Sequence, residues 1–382
     1  MTERFNKNLA AVTISEKQVF LDKARNTEGC VMLAAGEPDF GISDGVRKFL
    51  SQAIQHGKTH YVSAEGDYAV RKALADYENR VSGAAWSPEE VIVTVGASEG
   101  LYLALQSILN PGDEVIIPLP AIDLYEKDVR LAGAFPVFLD TTEDGFQINR
   151  EKLRRLITEK TKAIIINSPN NPTGVVYPRE TLEAVAALAK EHSLFVLSDE
   201  VYCHVYFDGD TAPSFAAEFP ELRDQTIVIK SLSNSNAMSG FRIGCLFGSA
   251  AAVDRIKVLH GAIVTSTVSL FQDAIVETCH TGIAGMMEAY QSRRDYLVQR
   301  LSELGLSYAD AQGTFYVFAD IRPFGLSSQA FCEKLLEETD VAVLPSAFFG
   351  VEGFIRISTA AALPELKKGM SRMDSFIQGL KE

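Results

Sequence analysis

Residues 163–199 read AIIINSPNNPTGVVYPRETLEAVAALAKEHSLFVLSD. Two short, apolar, β-branched runs lie on either side of a polar loop and of a segment whose apolar residues recur at helical spacing. Such runs are typical of buried strands in a parallel sheet, where a crossover helix joins one strand to the next. The stretch therefore predicts one strand–helix–strand unit of an α/β fold.

The same pattern continues on both sides of this unit. We expect seven buried strands, at residues 91–95, 114–119, 136–140, 163–167, 195–199, 226–230 and 243–248. The clearest helices between them cover residues 98–109, which Ser98 can cap, and residues 179–192. This alternation predicts a mostly parallel, doubly wound sheet, but the order and direction of its strands cannot be inferred from the pattern.

The pattern changes near residue 286. A long helix is followed by shorter strands and helices, at residues 286–305, 314–321, 328–336, 341–345, 354–358 and 363–380. Because 382 residues exceed what one hydrophobic core usually organises, we expect two domains. We predict a large domain over residues 46–285 and a small α+β domain formed by residues 1–45 and 286–382.

The composition excludes several classes of protein. Hydrophobic residues make up 47% of the chain and charged residues 23%, as in an ordinary globular protein. The net charge of −14 disfavours nucleic acid as a partner, because an acidic surface repels phosphate backbones. No apolar run is long enough to span a membrane, and the N-terminus lacks the features of a signal or transit peptide. We therefore expect a cytoplasmic protein.

The cysteines and histidines do not predict a metal site. The five cysteines are scattered along the chain without a CxxC pair, and the six histidines form no HExxH or HxH pair. Reduced thiols are the expected state of cysteines in a cytoplasmic protein.

Polar residues follow several predicted strands, at the sheet edge where open α/β sheets bind ligands. Gly96, Ala97 and Ser98 form a small-residue turn into a helix, whose free N–H groups suit a phosphate, although such a turn is also a common structural connection. Asn171 lies in a loop that two prolines restrict. Asp199 ends an apolar strand, so its carboxylate needs a cation, from a salt bridge or from a ligand.

Two arginines lie among these segments. Arg242 follows three serine hydroxyls after the sixth strand, a combination that suits a phosphate. Arg356 stands on the apolar strand FIRIS, where a bidentate carboxylate partner would account for it.

Together these segments resemble the class I/II aminotransferase family, the pyridoxal 5'-phosphate (PLP) enzymes of fold type I. The resemblance covers nearly the whole chain, and its motifs follow the family's order and spacing: AAGEPDF (34–40), HYVSAEGDYAVRKALADY (60–77), GASEG (96–100), NPGDEVIIPLP (110–120), SPNNPTG (168–174), SDEVY (198–202), SLSNSNAMSGFRIG (231–244), GTFYVF (313–318) and FIRIS (354–358). It implies a large PLP-binding domain and a small domain.

The resemblance also implies a role for each candidate residue. Asp199 would pair with the protonated pyridine nitrogen, and Asn171 and Tyr202 would hydrogen-bond the phenolic oxygen of the ring. The phosphate would be bound by the turn and the hydroxyl-rich loop, through Gly96, Ala97, Ser98, Ser231, Ser233 and Arg242.

Three further residues would serve the substrate and the partner subunit. Arg356 would bind the substrate carboxylate as a fork, with Gly36 and Asn171 beside it. Tyr61 would reach the phosphate of the neighbouring subunit's cofactor, so a homodimer with shared active sites is implied.

Two positions depart from the family. The lysine that forms the Schiff base with PLP is replaced by Asn234, whose amide is not nucleophilic and cannot carry a proton. Lys230, the nearest lysine, lies on a predicted strand, and we weigh it as a substitute for the missing lysine. Ile122 occupies the position of the aromatic residue that stacks on the ring, while nearby Tyr125 is expected to pack on its own helix.

The predicted activity is transfer of an amino group between an L-amino acid and a 2-oxo acid. The chain as it stands would be nearly inactive without the lysine, either through a deliberate substitution or as a natural relative that lost transamination. Two alternatives stay open: a PLP-dependent C–S lyase or related lyase on the same fold, and a non-catalytic protein that binds PLP or amino acids.

Overall fold

A computed structural model describes residues 6–13, 15–280 and 283–381. Its strands are β1 (Val31–Met32), β2 (Val91–Val95), β3 (Glu114–Leu119), β4 (Phe135–Asp140), β5 (Thr161–Asn167), β6 (Phe195–Asp199), β7 (Thr226–Ser231), β8 (Ile243–Phe247), β9 (Tyr316–Asp320), β10 (Val341–Ala342), β11 (Leu344–Pro345) and β12 (Phe354–Ser358). Its helices are α1 (Lys7–Ala10), α2 (Glu16–Arg25), α3 (Asp44–Gln55), α4 (Tyr68–Ser82), α5 (Gly96–Ile108), α6 (Asp123–Leu131), α7 (Arg150–Leu156), α8 (Arg179–His192), α9 (Phe215–Glu218), α10 (Leu232–Ser235), α11 (Ala250–Val264), α12 (Gln272–Thr278), α13 (Ala284–Glu303), α14 (Ser328–Thr339) and α15 (Leu363–Lys381).

The central sheet contains the seven predicted strands. Its order is β2-β8-β7-β6-β5-β3-β4, and β8 runs antiparallel to both of its neighbours while the other pairs are parallel. The mostly parallel sheet is therefore confirmed.

Helices cover both faces of this sheet. Alternate residues of a strand point to opposite faces. Accordingly, Ile164 of β5 is buried in the same cluster as Leu182 of α8, whereas Ile165 is buried in a second cluster with Leu101 of α5. This arrangement confirms the doubly wound α/β class.

The helix after β2 begins earlier than the sequence indicates. α5 starts at Gly96 and has no side-chain cap, so the prediction that Ser98 caps it is wrong. The Glu99 carboxylate instead accepts a hydrogen bond from the Val95 N–H at 2.6 Å. Because α5 begins at Gly96, Ser98 lies in its first turn, near the carboxyl end of β2.

The C-terminal part forms a smaller sheet in the order β11-β12-β9, with antiparallel pairs. The run predicted at 341–345 is divided between β10 and β11, and β10 pairs in parallel with β1. This pairing joins the N-terminal segment to the C-terminal part. The domain boundaries after residues 45 and 285 stay a prediction.

Within the described residues, no single helix is long and apolar enough to cross a membrane. The segments Ala250–Val264 and Ser269–Thr278 reach that length and composition only together, and they are bent by 118° relative to each other.

Candidate active site

A cavity of about 160 Å³ lies at the carboxyl ends of the parallel strands. The register of β5 and β6 places Asn167 opposite Asp199, and β7 ends beside them at Ser231. Ten of the residues predicted from the sequence line this cavity: Ala97, Ser98, Ile122, Asn171, Asp199, Tyr202, Ser231, Ser233, Asn234 and Arg242. Gly36, Tyr61, Gly96 and Arg356 do not line it.

Asp199 is buried in this cavity without a cation from the chain. Its side chain accepts hydrogen bonds from the Tyr125 hydroxyl at 2.5 Å and from the Val201 N–H at 3.2 Å. Among the described residues, no lysine, arginine or histidine forms an ion pair with it. Burial raises the pKa of Asp199 to about 6, although the two hydrogen bonds oppose this shift. Of the two cation sources that the sequence left open, a ligand atom therefore fits better than a salt bridge.

Tyr125 has a different role from the one expected. It lies on α6 three residues after Ile122, is 2% exposed, and points its hydroxyl at Asp199 instead of packing only on its own helix. Ile122 is the N-cap of α6, and Tyr125 lies in the first turn of that helix. This closeness in sequence to a predicted cavity residue is the signal that could have identified it.

Asn167 is a second residue that the sequence reasoning did not select. Its side-chain N–H donates to the Asp199 carbonyl at 3.0 Å, and its side-chain oxygen accepts from the Asn171 N–H at 2.9 Å. It thereby ties the loop after β5 to the end of β6. Its position as the last residue of a predicted strand was the available signal.

One end of the cavity is suited to an anion. The first turn of α5 contributes Ala97 and Ser98, and the opposite loop contributes the two serines that line the cavity and Arg242. Gly96 has a φ of +74°, and a Cβ added there would overlap the Arg242 guanidinium. The glycine therefore leaves room for the arginine beside the helix N-terminus, where N–H groups and a guanidinium can bind a phosphate.

Asn234 lies on the short helix α10, is 8% exposed, and lines the cavity. Lys230, the candidate substitute for the family's lysine, does not line this cavity. Its ammonium lies 2.7 Å from a Glu78 carboxylate oxygen and 3.1 Å from one of Glu200, on the other side of β7 in a separate small cavity. Because both carboxylates hold it there, Lys230 is unavailable to the residues around Asn234.

Arg356 is connected to the cavity through Asn171. Its guanidinium donates to the Asn171 side-chain oxygen and to the Ala34 carbonyl, both at 2.9 Å, and lies 3.9 Å from the centre of the Tyr316 ring. It is 4% exposed, and its Nε has no hydrogen-bond partner among the described residues. No carboxylate of the described chain pairs with this arginine, which leaves it able to bind a carboxylate ligand.

Tyr316 links this arginine to the cavity wall. Its hydroxyl lies 3.1 Å from that of Tyr202, and a Cβ added at Gly36 would lie 3.2 Å from the same oxygen. Gly36 therefore lies close to Tyr316, which stacks on Arg356, although it does not line the cavity, and its role at the substrate stays a prediction. Tyr316 stands within a quoted motif but received no role from the sequence.

Tyr61 lies away from this site and is 86% exposed. It does not line the cavity of its own chain. The sequence placed it at a neighbouring subunit's phosphate, and that role stays a prediction.

The site can hold a phosphorylated heterocycle with a basic ring nitrogen. Asp199 offers an unpaired buried carboxylate for a protonated nitrogen, while the loop with Arg242 offers donors to a phosphate. Both features fit the cofactor that the sequence predicts.

Comparisons with known proteins agree with the family that the sequence resembles. A family model described as aminotransferase class I and II matches residues 28–368. The chain is 37% identical to the aspartate/prephenate aminotransferase of Thermus thermophilus and 34% identical to aromatic-amino-acid aminotransferase 2 of Thermococcus litoralis, over 97% and 98% of both chains respectively. The solved structure of the Thermus thermophilus aspartate aminotransferase with maleate superposes with a TM-score of 0.92 at 36% identity, covering 97% of this chain and 99% of that one.

Proposed function

The chain belongs to the class I and II aminotransferase family, and we propose that its site is built to move an amino group between an L-amino acid and a 2-oxo acid. Its cofactor is pyridoxal 5'-phosphate. We further propose that the chain as it stands is nearly inactive. The observation that carries this proposal is Asn234 in the cavity. The resemblance of the surrounding motif implies that the family's lysine belongs at this position.

When bound, PLP supplies an electron sink for the charge that develops on the substrate Cα when it loses a proton. Asp199 would keep the ring nitrogen protonated, because a buried carboxylate without a cation favours a positive partner. Tyr202 and Asn171 would hydrogen-bond the phenolic oxygen. The α5 N-terminus, Ser231, Ser233 and Arg242 would hold the phosphate.

Arg356 would orient the substrate by binding its α-carboxylate. The guanidinium is buried, stacks on Tyr316 and retains an unused N–H at Nε. A planar fork of donors matches a carboxylate with two parallel hydrogen bonds. The site thus offers one positive group to the phosphate and another to the substrate.

Asn234 removes the group that has to carry the proton. Transamination needs a base that takes the Cα proton and returns it to the cofactor, and a neutral amide does neither. Lys230 is held by Glu78 and Glu200, so it does not supply this base. Binding of PLP and of an amino acid should therefore survive while turnover is lost.

The substrate side chain would enter a second cavity of about 340 Å³, which shares Ile122 with the first. Lys17, Asp123 and Phe348 line it. Burial lowers the pKa of Lys17, and the charge of nearby Arg356 adds to this effect, while Asp123 opposes it. Some relatives are named for aspartate and others for aromatic amino acids, and a cavity with both ionic and aromatic walls suits either class.

We also propose that the protein is a homodimer with shared active sites. The exposed Tyr61 lies on a segment that contacts the loop after α11, where the Val62 N–H donates to Ser266 at 2.9 Å. Ile263 and Val268, on either side of Ser266, are 48% and 45% exposed. Three large apolar side chains exposed on adjoining segments support an interface there.

The test compares the chain with its Asn234→Lys variant. The unchanged chain should bind PLP without a covalent link, so borohydride should attach the cofactor to no lysine. Asn234→Lys should become labelled at the new lysine and transfer amino groups from aspartate or aromatic amino acids to 2-oxoglutarate. Asn236→Lys adds a lysine two positions away and should do neither. Covalent labelling of the unchanged chain would contradict the proposal.

The same variant separates the two alternatives. Release of pyruvate from a cysteine derivative, without amino transfer, would identify a C–S lyase. Binding of PLP by both proteins, with no turnover of any common amino acid by Asn234→Lys, would favour a non-catalytic binding protein. This second alternative is supported by the cavity around Asn234, which contains the other residues that we assign to PLP binding.

A further inference from the structure

A buried ion cluster lies behind the cofactor cavity. The Lys230 ammonium contacts Glu78 at 2.7 Å and Glu200 at 3.1 Å, and it donates to the Cys203 sulfur at 3.3 Å. Glu78, Glu200 and Lys230 are 4%, 1% and 5% exposed. Ionic groups this deeply buried must be compensated by one another.

The cluster residues are chain neighbours of the cavity residues. They form three adjacent pairs: Asp199 with Glu200, Tyr202 with Cys203, and Ser231 with Lys230. The first member of each pair lines the cofactor cavity, and the second lines the small cavity behind it, which Ser231 also lines. Any shift of the ion cluster is therefore transmitted through one peptide unit to a residue that we assign to PLP.

The carboxylates of Glu78 and Glu200 connect Lys230 to other parts of the fold. The second oxygen of Glu200 accepts hydrogen bonds from Ser198 at 2.8 Å, from Ser214 at 3.1 Å and from the Phe215 N–H at 3.0 Å. Glu78 belongs to α4. Lys230 thus joins β7 to the end of β6 and to α4 through a single ammonium group.

A protonated His204 adds a second cation to the cluster. Its Nε2 lies 3.9 Å from Glu78. Burial opposes the charge on His204, but Cys203 and Glu78 outweigh it and raise the pKa of this imidazole to about 10. Glu78, Glu200 and the Cys203 sulfur then face two cations, His204 and Lys230. Since a well-packed apolar group commonly replaces a buried ion pair without loss of stability, stability alone does not account for this cluster.

We propose that Lys230 is a positioning residue for the cofactor. Lys230 bridges Glu78 and Glu200, and this bridge sets the distance between the ends of β6 and β7. At that distance Asp199 reaches the ring nitrogen of PLP and Ser231 reaches the phosphate of the same molecule. This inference rests on the proposed placement of PLP in the cavity.

The test measures PLP binding to the chain as it stands and to variants of the cluster. Lys230→Met should raise the dissociation constant for PLP by about tenfold or more. Effects of this size are typical when a residue that supports the binding residues is replaced. The same variant should also weaken the circular dichroism band of the bound cofactor, which reports ring orientation. Lys230→Arg keeps the charge and should restore most of both signals.

Two further variants make the result decisive. Glu78→Gln is the milder change, and it should weaken PLP binding severalfold even if Lys230→Met does not fold. Arg223→Met breaks a partly buried ion pair with Glu90 outside the cavity, so it should lower stability and leave PLP binding unchanged.

The outcomes distinguish this inference from the proposed function. If the unchanged chain does not bind PLP, the proposed placement of the cofactor fails. If it binds PLP and the folded Lys230→Met or Glu78→Gln protein keeps the same dissociation constant and dichroism band, Lys230 is not a positioning residue.

Discussion

Replacing Asp199 by asparagine should stabilise the cofactor-free protein while weakening its binding of PLP. Burial raises the pKa of this carboxyl to about 6, from an ordinary value of 3.8. The folded protein therefore keeps a proton that the unfolded chain releases. The contribution of Asp199 to stability is fully present below about pH 4 and is lost as the pH rises through 6.

The size of the effect follows from the contacts of Asp199. A shift of about two pKa units corresponds to roughly 3 kcal/mol in the free energy of unfolding. Tyr125 and Val201 both donate to the carboxylate, and an amide has only one acceptor oxygen, so Asp199→Asn forfeits one hydrogen bond worth about 1 kcal/mol. We expect a net gain of about 2 kcal/mol at pH 8 and a net loss of about 1 kcal/mol at pH 4, where only the forfeited hydrogen bond counts.

Urea unfolding of the cofactor-free proteins between pH 4 and pH 8 measures this difference. A parallel PLP titration should show a dissociation constant raised by about tenfold or more, because the ring nitrogen loses a charged partner. Asp128→Asn is the matched control. Burial raises the pKa of Asp128 to about 7, and this residue lies outside the cavity, so its replacement should stabilise the protein without affecting PLP.

An Asp199→Asn protein whose free energy of unfolding at pH 8 is no higher than that of the unchanged chain would contradict this prediction. A gain that does not vary with pH would refute it equally, because the predicted gain comes from a proton.

Two other replacements test the geometry of the site. Gly96→Ala should lower stability by about 1–2 kcal/mol, because its φ is positive, and should also weaken PLP binding by displacing Arg242. Gly83→Ala has a similar φ but open space around it, so in the same titrations it should lose stability alone. Tyr125→Phe removes a donor to Asp199, so it should raise the pKa of that carboxyl further and extend the fall of stability to higher pH in urea unfolding. An unchanged pH profile would contradict this.

Much of the fold was predictable because each buried strand is recognisable from the residues of its own short segment. A strand buried on both faces needs an unbroken apolar run, and each of the seven runs became a strand of the central sheet, with ends that moved by at most two residues. The antiparallel direction of β8 was not predictable, because its run of residues is apolar like those of the parallel strands.

The cavity was predictable to a similar degree, and for a related reason. Parallel strands deliver the loops that follow them to one edge, so the polar residues after β2, β5, β6 and β7 had to meet. Glu78 had no such signal, because it lies on a helix far away in the chain and reaches Lys230 only through packing.

The sequence by itself determined the sheet class and the polar residues at the strand ends, since both depend on residue type and on spacing along the chain. The tertiary structure alone decided which charges are paired. It left Asp199 and Arg356 without charged partners among the described residues and gave two carboxylates to Lys230. Ion pairing depends on which distant side chains come within a few ångströms in a buried environment, and packing sets that distance.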